Sequence, residues 1–387
     1  MANLPHLPKV ASSETVRAIN RRAVLNLIRT RQPISRADLA RASGLQRSTI
    51  SLIVEQLIEG RWVLEGPTAR MPRGRRPTSL RLNEERAIVG VDVRPTEITA
   101  VLSDVNGSFM EKEVHAAPPD ARAGMRVVAQ AVRRMVSLGR GKMIEGIGIS
   151  LPGRFDEGAG KLVFAPNLRW GEVEIRAPLR RATGLDVELE NAANACVLAA
   201  VWFDHVPERN LVVITVSEGI GAGVLVDGRL VRGLGAMAGE FGHAPVDPRG
   251  PECSCGSRGC WEVFGSNRAA LRDYAESGGD PTVHDFGELL RRAAAGEIRA
   301  GAALDKMAHH LGRGMRMVVA GLAPERIVMV GELTAAWGRF GPIVEAEVRA
   351  QVLGGSAPPR VTPSGEGGME RLRGAVALLL QKHFSEP

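Results

Sequence analysis

The stretch Gly239 to Glu262, GEFGHAPVDPRGPECSCGSRGCWE, restricts this chain more than any other. It holds three of the chain's four cysteines, Cys253, Cys255 and Cys260, within eight residues, and His243 lies ten positions before the first. Three thiolates and one imidazole make a complete tetrahedral ligand set for a closed zinc site. Pro248, Gly250, Pro251, Gly256 and Gly259 permit the tight turns such a loop needs. A disulfide is the competing arrangement, but Cys253 and Cys255 are too close for an unstrained bridge and three thiols leave one over. Unbound thiols are the other alternative. The expectation is a structural Zn2+ held by His243, Cys253, Cys255 and Cys260, because four protein ligands leave no open position for a substrate.

Charge divides the chain unevenly. Residues 1–82 hold fifteen Lys/Arg against five Asp/Glu, a net of +10, so with +7 overall the remainder carries −3. A basic segment joined to a mildly acidic body implies a polyanion partner for the first part only. The length of 387 residues implies more than one domain. No run of eighteen apolar residues is present and the opening MANLPHLPKV has no apolar signal-peptide core, so neither a membrane span nor secretion is expected. Few cysteines, clustered as ligands, fit a reducing cytoplasm.

Within the basic segment, Glu14 to Thr30 places Val16, Ile19, Ala23, Leu27 and Ile28 at helical spacing, and Pro33 ends the pattern. Ser35-Arg36-Ala37-Asp38 is a helix-start signature, Leu39, Ala40 and Leu45 are expected to face inward, and Gly44 turns the chain. A third helix is expected from about Gln46 to Glu59, with Ile50, Ile53, Val54 and Leu57 buried. This order predicts a helix-turn-helix. Trp62-Val63-Leu64 and Ser79-Leu80-Arg81-Leu82 read as the strands of a wing. The polar front of the third helix, Gln46, Arg47, Ser48, Thr49 and Ser51, is the candidate reader of base edges in the major groove of an operator duplex. Between the wing strands, residues 70–77 carry four arginines. Arg73, Arg75 and Arg76 are slim, extended and cationic enough to enter a narrow minor groove. A solvated basic linker, or a helical module that binds protein, are the alternatives.

From residue 83 onward, strands alternate with helices, which implies an α/β fold. Strands are expected at 87–93, 98–103, 145–150 and 327–330, and helices at 121–138, 301–323 and 369–383. The hairpin-like set recurs at 211–226, which suggests two lobes with a cleft between them.

Glu240-x-Gly242-His243 followed by Cys253-x-Cys255-Gly256-x-x-Gly259-Cys260-x-Glu262 resembles the signature of the ROK family of sugar kinases and sugar-responsive repressors. The resemblance covers nearly the whole chain. It implies a winged helix-turn-helix over 1–82 and a two-lobed, actin-like ATPase (ribonuclease H-like) domain over 83–387. The first lobe would span about 83–190 plus the C-terminal helix 369–387, and the second about 191–368, including the zinc loop 239–262. It also implies a sugar site made by Gly153, Arg154, Asn167, Asn191, Glu240, His243 and Glu262.

Against the kinases of that family, the chain departs at four places. Asp-x-Gly-Gly-Thr becomes Asp92-Val93-Arg94-Pro95-Thr96, which removes an N–H donor and adds bulk where backbone should approach phosphate. The second phosphate loop contains Glu218, and the adenosine-side Gly-Gly is Gly331-Glu332. The family's Asn-Asp-Ala-Asn, whose aspartate deprotonates the sugar hydroxyl, is Asn191-Ala192-Ala193-Asn194, and alanine cannot act as a base. The expectation is a sugar-responsive DNA-binding regulator, a repressor of carbohydrate genes, that binds a sugar or sugar phosphate without phosphorylating it. A dimer or tetramer is expected from the resemblance and from two-fold operators. An active sugar kinase with a DNA-binding extension, and a ligand-independent architectural DNA-binding protein, are the rivals.

Overall fold

A computed structural model of the chain describes residues 13–68, 78–350, 357–365 and 368–384. The N-terminal part folds as helices Ser13–Arg31, Arg36–Ser43 and Arg47–Glu59, then strands Val63–Thr68 and Thr78–Leu82 paired antiparallel. Ser35 caps the second helix by accepting from the Asp38 N–H at 3.2 Å, and Gly44 ends it in the left-handed region at φ 72°. The third helix buries Ile50, Ile53, Val54 and Leu57, the face that periodicity predicts. One strand lies outside the sequence expectation: Ile34–Ser35 pairs with Thr78–Leu82 and makes the small sheet three-stranded. The first helix differs in phase from the expectation. Val24, Leu25 and Ile28 are its buried residues, while Val16 and Ala23 are exposed, because the seat of this helix lies partly on the body of the protein.

Two five-stranded sheets that share one plan frame that body, and a small antiparallel sheet of Arg154–Asp156, Lys161–Phe164 and Val173–Glu174 follows the fourth strand of the first. In the first, strands Arg86–Val93, Glu97–Asp104 and Phe109–Ala116 form an antiparallel meander, and Met143–Leu151 and Val187–Asn191 extend it in parallel. In the second, Leu211–Val216, Ile220–Val226 and Arg229–Leu230 form the meander, and Arg326–Val330 and Arg360–Pro363 add in parallel. Strand Arg86–Val93 is buried along nearly its whole length, as a continuous apolar run in a central strand should be, whereas the edge strand Phe109–Ala116 is mostly exposed.

Helix Ala192–Trp202 leaves the last strand of the first sheet and leads to the second. It is apolar all round and almost wholly buried. Helix Glu370–Phe384 packs directly on it and on strands Arg86–Val93 and Met143–Leu151. Between the two sheets opens the cleft.

Candidate functional site

The cysteine-rich loop is built from short-range bonds. Val246 and Asp247 N–H groups donate to the Gly259 carbonyl, Cys253 N–H donates to Ser257, and Trp261 N–H donates to Ala244 at 2.9 Å. Gly259 sits at φ 64°, and a Cβ there would lie 1.5 Å from the Asp247 carbonyl oxygen, so only glycine fits. Fully buried Trp261 anchors the loop, its indole N–H donating to the His310 carbonyl of the helix Ile298–Leu322 at 2.9 Å.

The ligand atoms of His243, Cys253, Cys255 and Cys260 all lie within 4.8 Å of one another. Cys255 and Cys260 sulfurs are 3.7 Å apart, and His243 Nδ1 is 3.5 Å from Cys253 Sγ. A tetrahedral ion with bonds of about 2.3 Å to sulfur and about 2.0 Å to nitrogen separates its ligands by roughly 3.8 and 3.5 Å. The donor set therefore fits a four-coordinate metal in chemistry and in spacing. The four cysteines form no disulfide. His243 divides its two nitrogens: Nδ1 faces the thiols, and Nε2 stands 3.8 Å from a Glu240 carboxylate oxygen on the cleft side.

Beside this loop the cleft encloses about 530 Å3, and all seven residues expected for the sugar site, Gly153, Arg154, Asn167, Asn191, Glu240, His243 and Glu262, line it. They come from the loop after strand Met143–Leu151 and the start of strand Arg154–Asp156, the short helix Pro166–Leu168, the end of strand Val187–Asn191 and both ends of the cysteine-rich loop. Asn191 is pinned from two sides. Its Oδ1 accepts from the Ala193 N–H at 2.9 Å, capping the following helix, and its Nδ2 donates to the Gly153 carbonyl at 3.2 Å. Glu262 is buried and accepts from the Ile220 N–H at 3.0 Å. Burial raises the carboxyls of both Glu240 and Glu262, against the pull of His243. Asn167 accepts from Arg268 at 3.3 Å. Arg154 is exposed, its guanidinium 3.8 Å from the Met237 sulfur. Among the described residues no carboxylate pairs with it. Ala192 lines the same cleft.

Pro95 and Glu218 also line the cleft, and the neighbouring Arg94 and Glu332 are tied down beside it. Arg94 folds back with Nε 2.9 Å from Asp92 Oδ2 and Nη1 3.9 Å from Glu97, and Nη2 donates to the Gly368 carbonyl at 3.1 Å. Asp92 is buried, and its other oxygen accepts from Ser150 at 2.9 Å. Burial disfavours the Arg94 charge, and the neighbouring carboxylates more than compensate. Glu332, raised by burial and by the charge of Glu218, accepts from the Asn267 amide.

Sequence reasoning missed the pair Arg232–Glu190. Glu190 is 1% exposed and accepts twice from Arg232, at 2.8 and 3.0 Å, while its second oxygen accepts from the Asn191 N–H and the Asn194 amide. This bond holds the loop carrying Met237 across to the first sheet. Forty-two residues separate the partners, and no local pattern announces them. Phe164 and Met237 also line the cleft, and their spacing in the chain gives no sign of it.

On the N-terminal part, Gln46, Arg47 and Ser48 are exposed at the front of the third helix, and Thr49 and Ser51 are half-buried beside them. Leu52, 57% exposed on that surface, does not stand out in the sequence. Arg73, Arg75 and Arg76 lie outside the described residues.

The doubled sheet, the cysteine-rich loop and the cleft beside it belong to a known class: the chain is a member of the ROK family, whose model matches residues 88–382. Among individual proteins, it is similar to the xylose repressor of Bacillus spizizenii, 29% identical over 89% of this chain and 88% of that one. The N-acetylglucosamine repressor of Escherichia coli O157:H7 is 27% identical over the same shares. Of solved structures, a ROK family transcriptional regulator described as a homolog of the E. coli MLC protein superposes with a TM-score of 0.78, covering 96% of this chain and 99% of that one at 24% identity, a likeness of fold. A ROK family glucokinase from Streptomyces griseus, in complex with glucose and AMPPNP, gives 0.70 at 27% identity over 76% of this chain and 99% of that one. Among the described residues no helix is long and apolar enough to cross a membrane.

Proposed function

We propose that this chain is a sugar-responsive transcriptional repressor of carbohydrate genes, with residues 1–82 as its DNA-binding domain and residues 83–387 as an effector domain. In this reading the effector domain binds a sugar or sugar phosphate and does not phosphorylate it. One observation carries the reading: the seven sugar-side residues line a single cleft, and the residue beside them at the position of the family's base is Ala192. Glu262 is buried and Glu240, Asn167 and Asn191 face the same cavity, a set of acceptors and donors that suits a polyol able to donate and accept several hydrogen bonds. The repressors similar to the chain along most of its length point the same way. Zn2+ is the metal that suits Cys253, Cys255, Cys260 and His243, and its work is structural. Bound there, it would hold the loop from which Glu240, His243 and Glu262 reach the ligand. We place the protein in the cytoplasm, where its operator is, as a homodimer or homotetramer matching a two-fold site.

The test is incubation with ATP and a panel of sugars beside a thermal-shift screen of sugars and sugar phosphates. At least one ligand should raise the melting temperature while no sugar stimulates ADP release. ADP release with any sugar that binds would make the chain a kinase with a DNA-binding extension. A screen in which nothing shifts the melt would leave an architectural DNA-binding protein.

The DNA contacts divide by groove. Arg47→Ala should cost about 1–3 kcal/mol at particular base pairs and relax discrimination there. Arg75→Ala with Arg76→Ala should weaken binding to all sequences, flatten its dependence on salt and reduce the preference for A·T-rich flanks. Binding isotherms on operator variants at several salt concentrations decide the matter, and equal effects of both changes on every variant would contradict the division.

A further inference from the structure

The helix Ala192–Trp202 has one end in the cleft and the other against the N-terminal domain. Its first residues, Ala192 and Ala193, line the cavity, and Asn191 caps it while binding the Gly153 carbonyl. Eleven residues at 1.5 Å each carry the helix about 16 Å away. Its last residue, Trp202, meets Arg29 of the first helix in two ways. The Arg29 guanidinium lies over the indole, 4.4 Å from the ring centroid, and donates to the Trp202 carbonyl. That carbonyl belongs to the helix end, where the last turn leaves acceptors unpaired and a cation opposes the negative pole. Partial burial drives Arg29 down to about 10, and its remaining N–H groups donate to Asn26 of the same helix at 2.8 and 2.9 Å.

Nothing around the helix is loose. Gly374 of helix Glu370–Phe384 lies so close that a Cβ there would sit 1.9 Å from the Ala195 carbonyl oxygen. Leu198 and Trp202 share one apolar core with Val24, Leu25 and Ile28 of the first helix. A second thread runs alongside: Gln32 donates to Asn106 at 2.8 Å, and the neighbouring Gly107 touches the ring of Phe203, the residue after Trp202. A helix packed this tightly moves as a body, since packed interiors shift between discrete arrangements and do not deform continuously.

We propose that helix Ala192–Trp202 is the rod through which the cleft sets the position of the N-terminal domain, with Arg29 on Trp202 as its far contact. A ligand that engages Asn191 competes for its bond to Gly153 and displaces the start of the helix. Trp202 then carries its carbonyl and its indole away together, and Arg29 must follow or give up both. The regulatory use of this coupling rests on the function proposed above. The mechanical link does not, and can be measured without the ligand or the operator.

The experiment is amide hydrogen exchange by mass spectrometry on the full chain and two variants, with helix Ile298–Leu322 as internal reference. Asn191→Ala removes the cap, and exchange should rise roughly two- to thirtyfold, the factor a lost cap represents. The rise should reach residues 198–203 and also 24–31, leaving 298–322 unchanged. Arg29→Met should act in reverse and raise exchange at 192–195, because coupling between two sites is reciprocal. A rise in Asn191→Ala that stops within 191–196, or an Arg29→Met chain whose residues 192–195 exchange as in the parent, would overturn the proposal. Should Asn191→Ala fail to fold, the Arg29→Met result decides alone. Separately, selection of duplexes from a random pool tests DNA binding, so failure of the function and failure of the rod give different results.

Discussion

A Cys255→Ser chain should retain less than about a tenth of the parent's zinc, and its effector domain should melt well below the parent's. Structural zinc contributes about 10–16 kcal/mol of apparent binding free energy in small sites, as much as the whole stability of a domain. Losing one thiolate lowers that contribution, and it leaves Cys253 and Cys260, both buried, without the ion that neutralises them. The effect should fall on the cleft before it falls on the DNA-binding domain. Glu240, His243 and Glu262 all belong to the cysteine-rich loop, whereas helix Arg47–Glu59 is built on its own packing face of Ile50, Ile53, Val54 and Leu57. Sugar-induced thermal shifts should therefore vanish while DNA affinity declines less. Metal content by mass spectrometry, melting curves and DNA titrations on the same preparations check this. Full zinc in a chain with all three cysteines of the loop changed to serine would sink the assignment.

Restoring aspartate at Ala192 should weaken binding of a sugar phosphate by two orders of magnitude or more and leave the matching free sugar unchanged or tighter. Ala192 lines the cleft, and Asn191 beside it is held in place by two bonds. Two like charges about 4 Å apart repel by roughly 4 kcal/mol at an effective dielectric of 20, and a factor of ten needs only about 1.4 kcal/mol. A free hydroxyl instead gains a hydrogen bond from the new carboxylate, worth about 0.5–1.5 kcal/mol. Arg154 would give such a phosphate a partner, because no carboxylate among the described residues claims its guanidinium. A pentose is the other occupant that fits the room left by Ala192, and for it the Asp variant should bind slightly weaker or alike. Calorimetry with the three ligands on parent and variant separates these outcomes. Equal affinities for sugar phosphate in both chains would remove position 192 from the site.

Features whose controlling interactions join near neighbours are legible in the sequence alone. The four candidate ligands, from His243 to Cys260, all lie on one loop, so turn chemistry and ligand count suffice to bring them together. Ser35, Asp38 and Gly44 announce the second helix because caps are made by near neighbours. The buried face of helix Arg47–Glu59 follows from its period alone, since that side has one apolar stripe and no competitor.

Other features needed the tertiary structure. The first helix offers apolar residues on more than one face, and contact with Leu198, Trp202 and the C-terminal helix selects Val24, Leu25 and Ile28 over Val16. Periodicity ranks faces within a helix but says nothing of what lies opposite. The same limit hid Arg232 on Glu190, and the stacking of Arg29 on Trp202, 173 residues apart. The resemblance to the ROK family named the residues expected on the sugar side one by one. Their convergence on one cleft, with helix Ala192–Trp202 running from it to the N-terminal helices, is decided by how two similar sheets pack about that helix. That packing is a sum of long-range contacts, and no window of sequence contains it.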